Sequence, residues 1–138
     1  NYSRNFLKTI VFLLKRKKKL YMVYDQVSNP TTTKLVSNVV KISCENFIDK
    51  KNIFKGIFNL ANEPEISKLD FTKYVYKELK KLKLTKNKCE IIGVESNKFK
   101  NVAKRPNNSS FNLTKLKKKI KIKNLYWKNN IKKLLVKI

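Results

Sequence analysis

The side chain best suited to ligand chemistry in this chain is the guanidinium of Arg105, which precedes Pro106 in a polar segment. Arginine presents a planar fork of N–H donors that matches the oxygens of a phosphate. It is also scarce here, since the only other arginines are Arg4 and Arg16. Two interpretations are open: Arg105 binds an anionic ligand, or it pins the Pro106 loop by donating to backbone carbonyls.

Gln26 and Thr31 form a second pair of candidate binding residues. They flank a turn that contains Pro30 and follows an apolar run of strand length at residues 20–24. Open α/β sheets bind ligands beyond the carboxyl ends of their parallel strands. We therefore predict that Gln26 and Thr31 contact a ligand, and the alternative is that they cap the turn.

The chain has few of the residues that bind metal ions, form disulfides or build a dinucleotide-binding turn. The chain has no histidine, and Cys44 and Cys89 are too few and too far apart for a metal cluster or a disulfide framework. We predict no metal site and two reduced thiols in a cytoplasmic protein. The only glycines are Gly56 and Gly93. Because no glycine-rich turn can cradle a pyrophosphate, we predict no cofactor-binding residue.

One Tyr-x-x-x-Lys spacing occurs, at Tyr76 and Lys80. In a chain with 34 lysines and arginines, of which three are arginine, this spacing arises easily by chance. It also falls on the helix that is predicted to follow Ser67. We therefore predict no catalytic residue in this chain.

The formal charge of +25 first suggests a partner with a phosphate backbone. Arginine, which suits bidentate phosphate and base contacts, is nearly absent. Lysine, asparagine and isoleucine are abundant together, which is typical of an AT-rich genome. We favour compositional drift and expect no specific nucleic-acid partner. A small basic nucleic-acid-binding or ribosome-associated protein is the alternative, and it should gather its lysines on one face.

Hydrophobic spacing predicts helices alternating with short strands, which defines an α/β fold. Helices are expected at 6–14 with Ser3 or Asn5 as N-cap, at 35–40, after the capping box at 67–70, near 113–120 and from Trp127 to the end. Strands are expected at 20–24, buried on both faces of a parallel sheet, at 56–61 and at 91–94. Residues 102–110 are expected to form a loop, and Trp127 to lie in the core. The apolar run at 6–14 is shorter than the roughly 20 residues that cross a bilayer, so no membrane partner is expected.

Four segments carry a family resemblance in order along the chain. They are Asn5-Phe6 with its helix, the turn Asp-Gln-Val-Ser-Asn-Pro-Thr at 25–31, the segment Gly-Ile-Phe-Asn-Leu-Ala at 56–61, and the segment 103–116 that contains Arg105-Pro106. The set resembles dTDP-4-dehydrorhamnose reductases, which are extended short-chain dehydrogenase/reductases. This chain departs from that pattern at four positions, where a usual Gly, Ser, His and Gly are replaced by Ser28, Asn29, Asn59 and Asn62.

The resemblance implies that residues 1–45 form the end of a Rossmann domain and residues 46–138 a small α/β lobe that binds the substrate. The family reduces dTDP-4-dehydro-6-deoxy-L-mannose to dTDP-L-rhamnose with NADPH or NADH. It implies a dTDP-linked sugar as ligand of Arg105, Gln26 and Thr31, an N-terminal Rossmann half that is missing here, and a homodimeric parent. The chain alone is then expected to be inactive and to bind no cofactor. A non-catalytic regulatory relative is the remaining alternative.

Overall fold

The structure is a computed structural model that describes residues 5–51, 55–99, 105–123 and 125–138. The proposed N-cap Ser3 and residues 102–104 of the predicted loop lie outside these ranges. Helices and strands alternate as predicted, and the α/β class is confirmed. The helices are α1 Phe6–Arg16, α2 Thr33–Ile48, α3 Lys68–Lys81, α4 Thr114–Lys117 and α5 Lys128–Leu135. The strands are β1 Lys19–Val23, β2 Val27–Ser28, β3 Ile66–Ser67 and β4 Glu90–Val94.

Helix α1 begins at the predicted residue and extends two residues beyond the predicted range of 6–14. The Asn5 side chain accepts a hydrogen bond from the Lys8 backbone N–H at 2.8 Å, which makes Asn5 the N-cap. The helix ends at Arg16 in the basic run, where positive charge favours a helix C-terminus. The Asn87 amide donates to the carbonyls of Leu14 and Lys17, both at 2.8 Å, and so satisfies two carbonyls at the helix end.

Two small sheets organise the strands. Strands β1 and β4 are parallel, with Leu20 opposite Ile91 and Val23 opposite Val94. Strands β2 and β3 are antiparallel and only two residues long. Because β1 and β4 run in the same direction, their carboxyl ends meet at one edge, where the predicted site residues follow β1.

The prediction that β1 is buried on both faces is wrong. Tyr21 lies in the middle of the strand and is 52% exposed, whereas its neighbour Leu20 is buried. Among the described residues the strand pairs only with β4, and helix α3 packs against both strands. Burial alternates from Lys19 to Tyr21, as it does in a sheet covered on one face, and Val23 at the end of the strand is buried although it shares the face of Tyr21.

The core lies where α1, α3 and α5 meet the parallel pair. Trp127 is fully buried, as predicted, and its indole N–H donates to the Pro64 carbonyl at 2.8 Å. Its ring packs edge-on against Tyr74 and at a tilt against Phe71. None of the helices within the described ranges is both long and apolar enough to cross a membrane.

The predicted strand at 56–61 is not formed. This segment has no ladder partner among the described residues, and Ile57 is 87% exposed. It is held instead by side chains: the Lys115 ammonium donates to the Ile57 carbonyl at 2.7 Å, and the Asn59 amide donates to the Asn112 carbonyl at 3.4 Å. An apolar run becomes a strand only where a neighbouring strand can take its backbone hydrogen bonds.

Candidate functional site

The candidate site lies at the carboxyl ends of β1 and β4. Asp25 and Gln26 follow β1, while Glu95 and Ser96 follow β4. The Asp25 carboxylate accepts hydrogen bonds from the Ser96 N–H at 3.0 Å and from the Ser96 hydroxyl at 2.8 Å. These bonds join the ends of the two strands, and they form the rigid side of the site.

The same bonds determine the charge of Asp25. Donation by the Ser96 backbone, and then by its hydroxyl, lowers the pKa of Asp25, with a smaller contribution from the positive charge of Lys68. Asp25 is therefore an anion at neutral pH, with its oxygens occupied by Ser96. It is suited to hold the strand ends together and unsuited to donate a proton.

Gln26 connects the end of β1 to the start of α3. Its side chain is only 7% exposed. Its backbone carbonyl accepts from the Lys68 N–H at 3.2 Å, and its side-chain Oε1 accepts from the Lys68 ammonium. Gln26 thereby fixes the position of Lys68, the first residue of α3.

Lys68 and Arg105 form a pair of cations in this site. Burial lowers the pKa of Lys68, the nearby positive charge of Arg105 lowers it further, and Asp25 opposes the shift. Within the described ranges, neither Lys68 nor Arg105 has a carboxylate at ion-pair distance. A lysine in the first turn of a helix is also electrostatically unfavourable. Two cations beside the single carboxylate of Asp25 leave a net positive charge, which suits an anionic ligand.

The Arg105 segment reaches the site through backbone pairing. The Val27 N–H donates to the Asn107 carbonyl at 2.7 Å, and the Ser109 N–H donates to the Val27 carbonyl at 3.0 Å. Val27 pairs on its other side with Ser67 in β3. The turn at 25–31 is therefore the centre of the site, with the Arg105 segment on one side and the start of α3 on the other.

Thr31 lies in the same turn but makes separate contacts. Its hydroxyl donates to the Asn29 carbonyl at 3.0 Å and accepts from the Asn62 N–H at 3.4 Å. The side chain of Thr31 is exposed, and no contact with Arg105 or Lys68 occurs in the part of the chain that is described. Gln26 and Arg105 are thus brought together through Lys68, whereas Thr31 lies apart from them.

Asn62 fixes the turn that carries Thr31. It is fully buried, its Oδ1 accepts from the Thr32 N–H at 2.8 Å, and its Nδ2 donates to the Leu125 carbonyl at 2.6 Å. Its own carbonyl accepts from the Asn29 amide at 2.9 Å. Asn62 therefore links three segments that are distant in sequence.

Sequence reasoning missed Lys68 and Asn62 as contributors to the site. Lys68 follows the N-cap Ser67, whose hydroxyl oxygen accepts from the Asp70 N–H at 3.0 Å as the capping box predicts. A lysine at the first helical position, against the helix dipole, was the available signal. For Asn62 the signal was its presence at a position where the family resemblance has glycine.

Tyr76 and Lys80 make contacts that stabilise the fold. The Tyr76 hydroxyl donates to the Asn87 carbonyl at 2.9 Å and accepts from the Cys89 N–H at 2.8 Å. The Lys80 ammonium lies 4.6 Å above the centre of the Tyr76 ring. These contacts hold the turn before β4 and leave the hydroxyl already bonded on both sides.

Neither glycine fits a dinucleotide cradle. A Cβ on Gly93, within β4, would lie 2.8 Å from Cδ2 of Leu69, so this glycine allows α3 to approach the sheet closely. Gly56 has φ of 93° and lies in a bend, not before a helix. The residues described here therefore supply no glycine-rich helix start for a pyrophosphate.

The fold is an α/β unit with a cationic pair at the edge of a small parallel sheet. Residues 1–138 match the RmlD substrate binding domain, and the chain belongs to that family. The family prediction made from the four sequence segments is thus confirmed.

Similar proteins agree with this assignment. The chain is 29% identical over 133 residues to a dTDP-4-dehydrorhamnose reductase of Aggregatibacter actinomycetemcomitans, covering 96% of this chain and 45% of that protein. The Escherichia coli reductase is 24% identical, with 96% and 44% covered. The chain therefore spans less than half the length of these relatives.

Solved structures show the same fold. A dTDP-4-dehydrorhamnose reductase from Clostridium acetobutylicum superposes with a TM-score of 0.79 at 26% identity, covering 100% of this chain and 46% of that one. The Bacillus anthracis reductase, solved in complex with NADP, gives a TM-score of 0.78 at 19% identity, with 100% and 45% covered.

Proposed function

We propose that this chain is the nucleotide-sugar-binding part of a dTDP-4-dehydrorhamnose reductase-like protein. The parent reaction is reduction of dTDP-4-dehydro-6-deoxy-L-mannose to dTDP-L-rhamnose by NADPH or NADH. The family assignment and the names of the relatives support this substrate class. The observation that carries the proposal is the proximity of two cations, Lys68 and Arg105, at the sheet edge, where Asp25 balances only part of their charge.

In this proposal Arg105 and Lys68 contact the diphosphate of the ligand. Charge-assisted hydrogen bonds from a guanidinium and an ammonium are the usual means of holding phosphate oxygens. Gln26 keeps Lys68 directed at the ligand through its side-chain oxygen. Thr31, exposed and held by Asn62, is placed at the sugar side of the site.

Cofactor binding and hydride transfer belong, in our proposal, to a Rossmann half that this chain does not contain. The cofactor, when bound there, supplies the hydride. Residues 1–45 are proposed as the end of the Rossmann domain and residues 46–138 as the substrate lobe. This chain alone is proposed to bind no NADPH and to be inactive. The parent is proposed to be homodimeric. It is also proposed to be cytoplasmic, which agrees with the free thiols of Cys44 and Cys89.

A non-catalytic regulatory relative remains the second candidate function, because it would use the same ligand site. The nucleic-acid alternative has less support. Lysines occur on all five described helices and in the turns between them. Compositional drift predicts such a spread, whereas a nucleic-acid-binding protein should gather its lysines on one face.

The test is a calorimetric titration of the chain with dTDP, with ADP, NADPH and orthophosphate as separate controls. We expect saturable dTDP binding with a Kd below about 1 mM, and no saturation with NADPH. A reductase lobe should bind dTDP more tightly than ADP. Non-specific electrostatic binding to a basic surface should give equal affinities for the two nucleotides and should be lost above about 200 mM salt. Equal binding of both nucleotides would contradict the proposal.

A further inference from the structure

Gln26 is a buried residue of the site that uses only part of its hydrogen-bonding capacity. Its side chain is 7% exposed, and its amide carries one acceptor oxygen and two N–H donors. The oxygen, Oε1, accepts from the Lys68 ammonium. Within the described ranges, no acceptor lies at hydrogen-bond distance from the nitrogen, Nε2. Polar groups in buried side chains are usually bonded, so the two N–H donors of Gln26 require a partner.

Lys68 fixes the direction in which those donors point. An ammonium group has donors and no acceptor, so it can face only the oxygen of the Gln26 amide. Turning the amide over would place its N–H donors against the ammonium donors. Because the oxygen and the nitrogen are attached to the same carbon, Nε2 lies beside the Lys68 ammonium. The donors of Gln26 are therefore part of the cationic site.

The amide nitrogen of Gln26 is also accessible from outside. In the part of the chain that the structure describes, the side-chain atoms that are both enclosed and without a partner are Oε2 of Glu78 and Nδ2 of Asn130. Nε2 of Gln26 has no partner and is not enclosed, so it reaches the surface of the site. A ligand at Lys68 can therefore contact it.

We propose that Gln26 contacts the ligand directly, with Nε2 donating to a phosphate oxygen beside the Lys68 ammonium. Phosphate oxygens only accept hydrogen bonds, and Gln26 and Lys68 offer only donors there because Oε1 is occupied. In a chain with a formal charge of +25, attraction of anions is general, whereas a fixed neutral donor selects a position and a direction. This inference deepens the proposed function and rests on it.

The sequence allows a direct measurement, because Gln26 is the only glutamine in the chain. The chain is prepared with nitrogen-15 in the glutamine side-chain amide alone, so that every labelled signal comes from Gln26. Inorganic pyrophosphate is the probe, and the heat of binding is measured on the same sample. We expect one of the two amide proton signals to move downfield and to saturate at the same pyrophosphate concentration as the heat, because that N–H has gained a charged acceptor.

The outcomes separate this inference from the proposed function. Saturable heat with unchanged Gln26 signals would overturn the inference and leave the diphosphate site of Lys68 and Arg105 standing. Gln26 signals that drift in proportion to pyrophosphate without saturating would show general attraction to a basic surface, which also overturns the inference. The absence of any saturable heat would overturn the proposed function and the inference together.

Gln26→Glu is an independent test that keeps an oxygen for Lys68 and replaces the two donors by a second acceptor. We expect its pyrophosphate affinity to fall by about 10- to 100-fold, as for a lost hydrogen bond to a charged group. The control is Asn107→Asp, which adds the same charge at an exposed position two residues from Arg105 and removes no proposed donor. Its loss should be clearly smaller. Equal losses in the two variants would show that charge alone matters and would overturn the inference. The measurement on the labelled, unchanged chain does not depend on whether Gln26→Glu folds.

Discussion

The Asp25 carboxylate accepts hydrogen bonds from the Ser96 N–H at 3.0 Å and the Ser96 hydroxyl at 2.8 Å, and so joins two parallel strands at their carboxyl ends. The two residues are 71 positions apart in sequence. Their contact holds the turn at 25–31 against the end of β4, and that turn carries the candidate ligand residues. The rigidity of the site therefore depends on the ionised state of one carboxylate.

Stability should respond to acid through Asp25. Because Ser96 lowers the pKa of Asp25 in the folded state, its contribution is fully present above the unfolded pKa of about 3.9. That contribution is lost as the pH falls through the lower folded value. Asp25→Asn should therefore lower the melting temperature at pH 7, and the deficit relative to wild type should shrink below about pH 4. Melting curves from pH 7 to pH 2.5 give this comparison.

Asp49→Asn is the control for the acid prediction, since Asp49 is exposed and pairs with Lys51 on the surface. It should leave the melting temperature nearly unchanged at pH 7. An Asp25→Asn deficit that stays constant down to pH 2.5 would show that the carboxylate charge does not contribute.

Asn62→Gly should destabilise the chain even though the family resemblance has glycine at this position. The substitution leaves the Thr32 N–H without its partner and removes one of two donors to the Leu125 carbonyl, which still accepts from the Glu63 N–H. One unsatisfied buried group costs about 1–3 kcal/mol, so we expect a loss of about that size. Urea denaturation measures it, with exposed Asn97→Gly as the matched control. Equal midpoints for the two variants would contradict the role assigned to Asn62.

Gly93 should accept a larger side chain only if Leu69 moves. A Cβ there would lie 2.8 Å from Cδ2 of Leu69, so Gly93→Val should cost about 1–3 kcal/mol through overpacking. The double variant with Leu69→Ala should recover part of this loss, because it removes the atoms that clash. A cycle of the four proteins measures the coupling. Additive losses would mean that Leu69 is not the obstacle.

Tyr76→Phe should weaken the fold and leave ligand binding intact. The hydroxyl bonds to Asn87 and Cys89 in the turn before β4, and its removal should cost about 1–2 kcal/mol. Exposed Tyr126→Phe is the control, with no expected change. A Tyr76→Phe chain that keeps its stability but loses dTDP affinity would return Tyr76 to the ligand site.

Much of the fold could be predicted because the determining signals are local. Asn5 and Ser67 are N-caps, as their positions before apolar helical patterns indicate. The short apolar run at 91–94 is recognisable as a strand from its own residues, and in the structure it pairs with β1. Trp127 is buried because its helix carries an apolar stripe against α3.

The rest depends on long-range contacts that no local pattern encodes. The contact between Gln26 and Lys68 follows from β2 and β3, a pairing of only two residues. The segment 56–61 has the composition of a strand but lacks a neighbour, so composition alone gave the wrong answer. Asn62 bonds to residues 30 and 63 positions away, which a search for local motifs cannot detect.

The central claim is that Lys68 and Arg105 together hold the diphosphate of a dTDP-linked ligand. The direct measurement is the dTDP affinity of Lys68→Ala, Arg105→Ala and the matched control Lys133→Ala, an exposed lysine on α5. Each hydrogen bond to a charged group contributes roughly 1.5–3 kcal/mol, so each site variant should lose about 10- to 100-fold in affinity. Lys133→Ala should lose almost none. If all three variants bind dTDP equally well, or lose affinity equally, the cationic pair is not the diphosphate site.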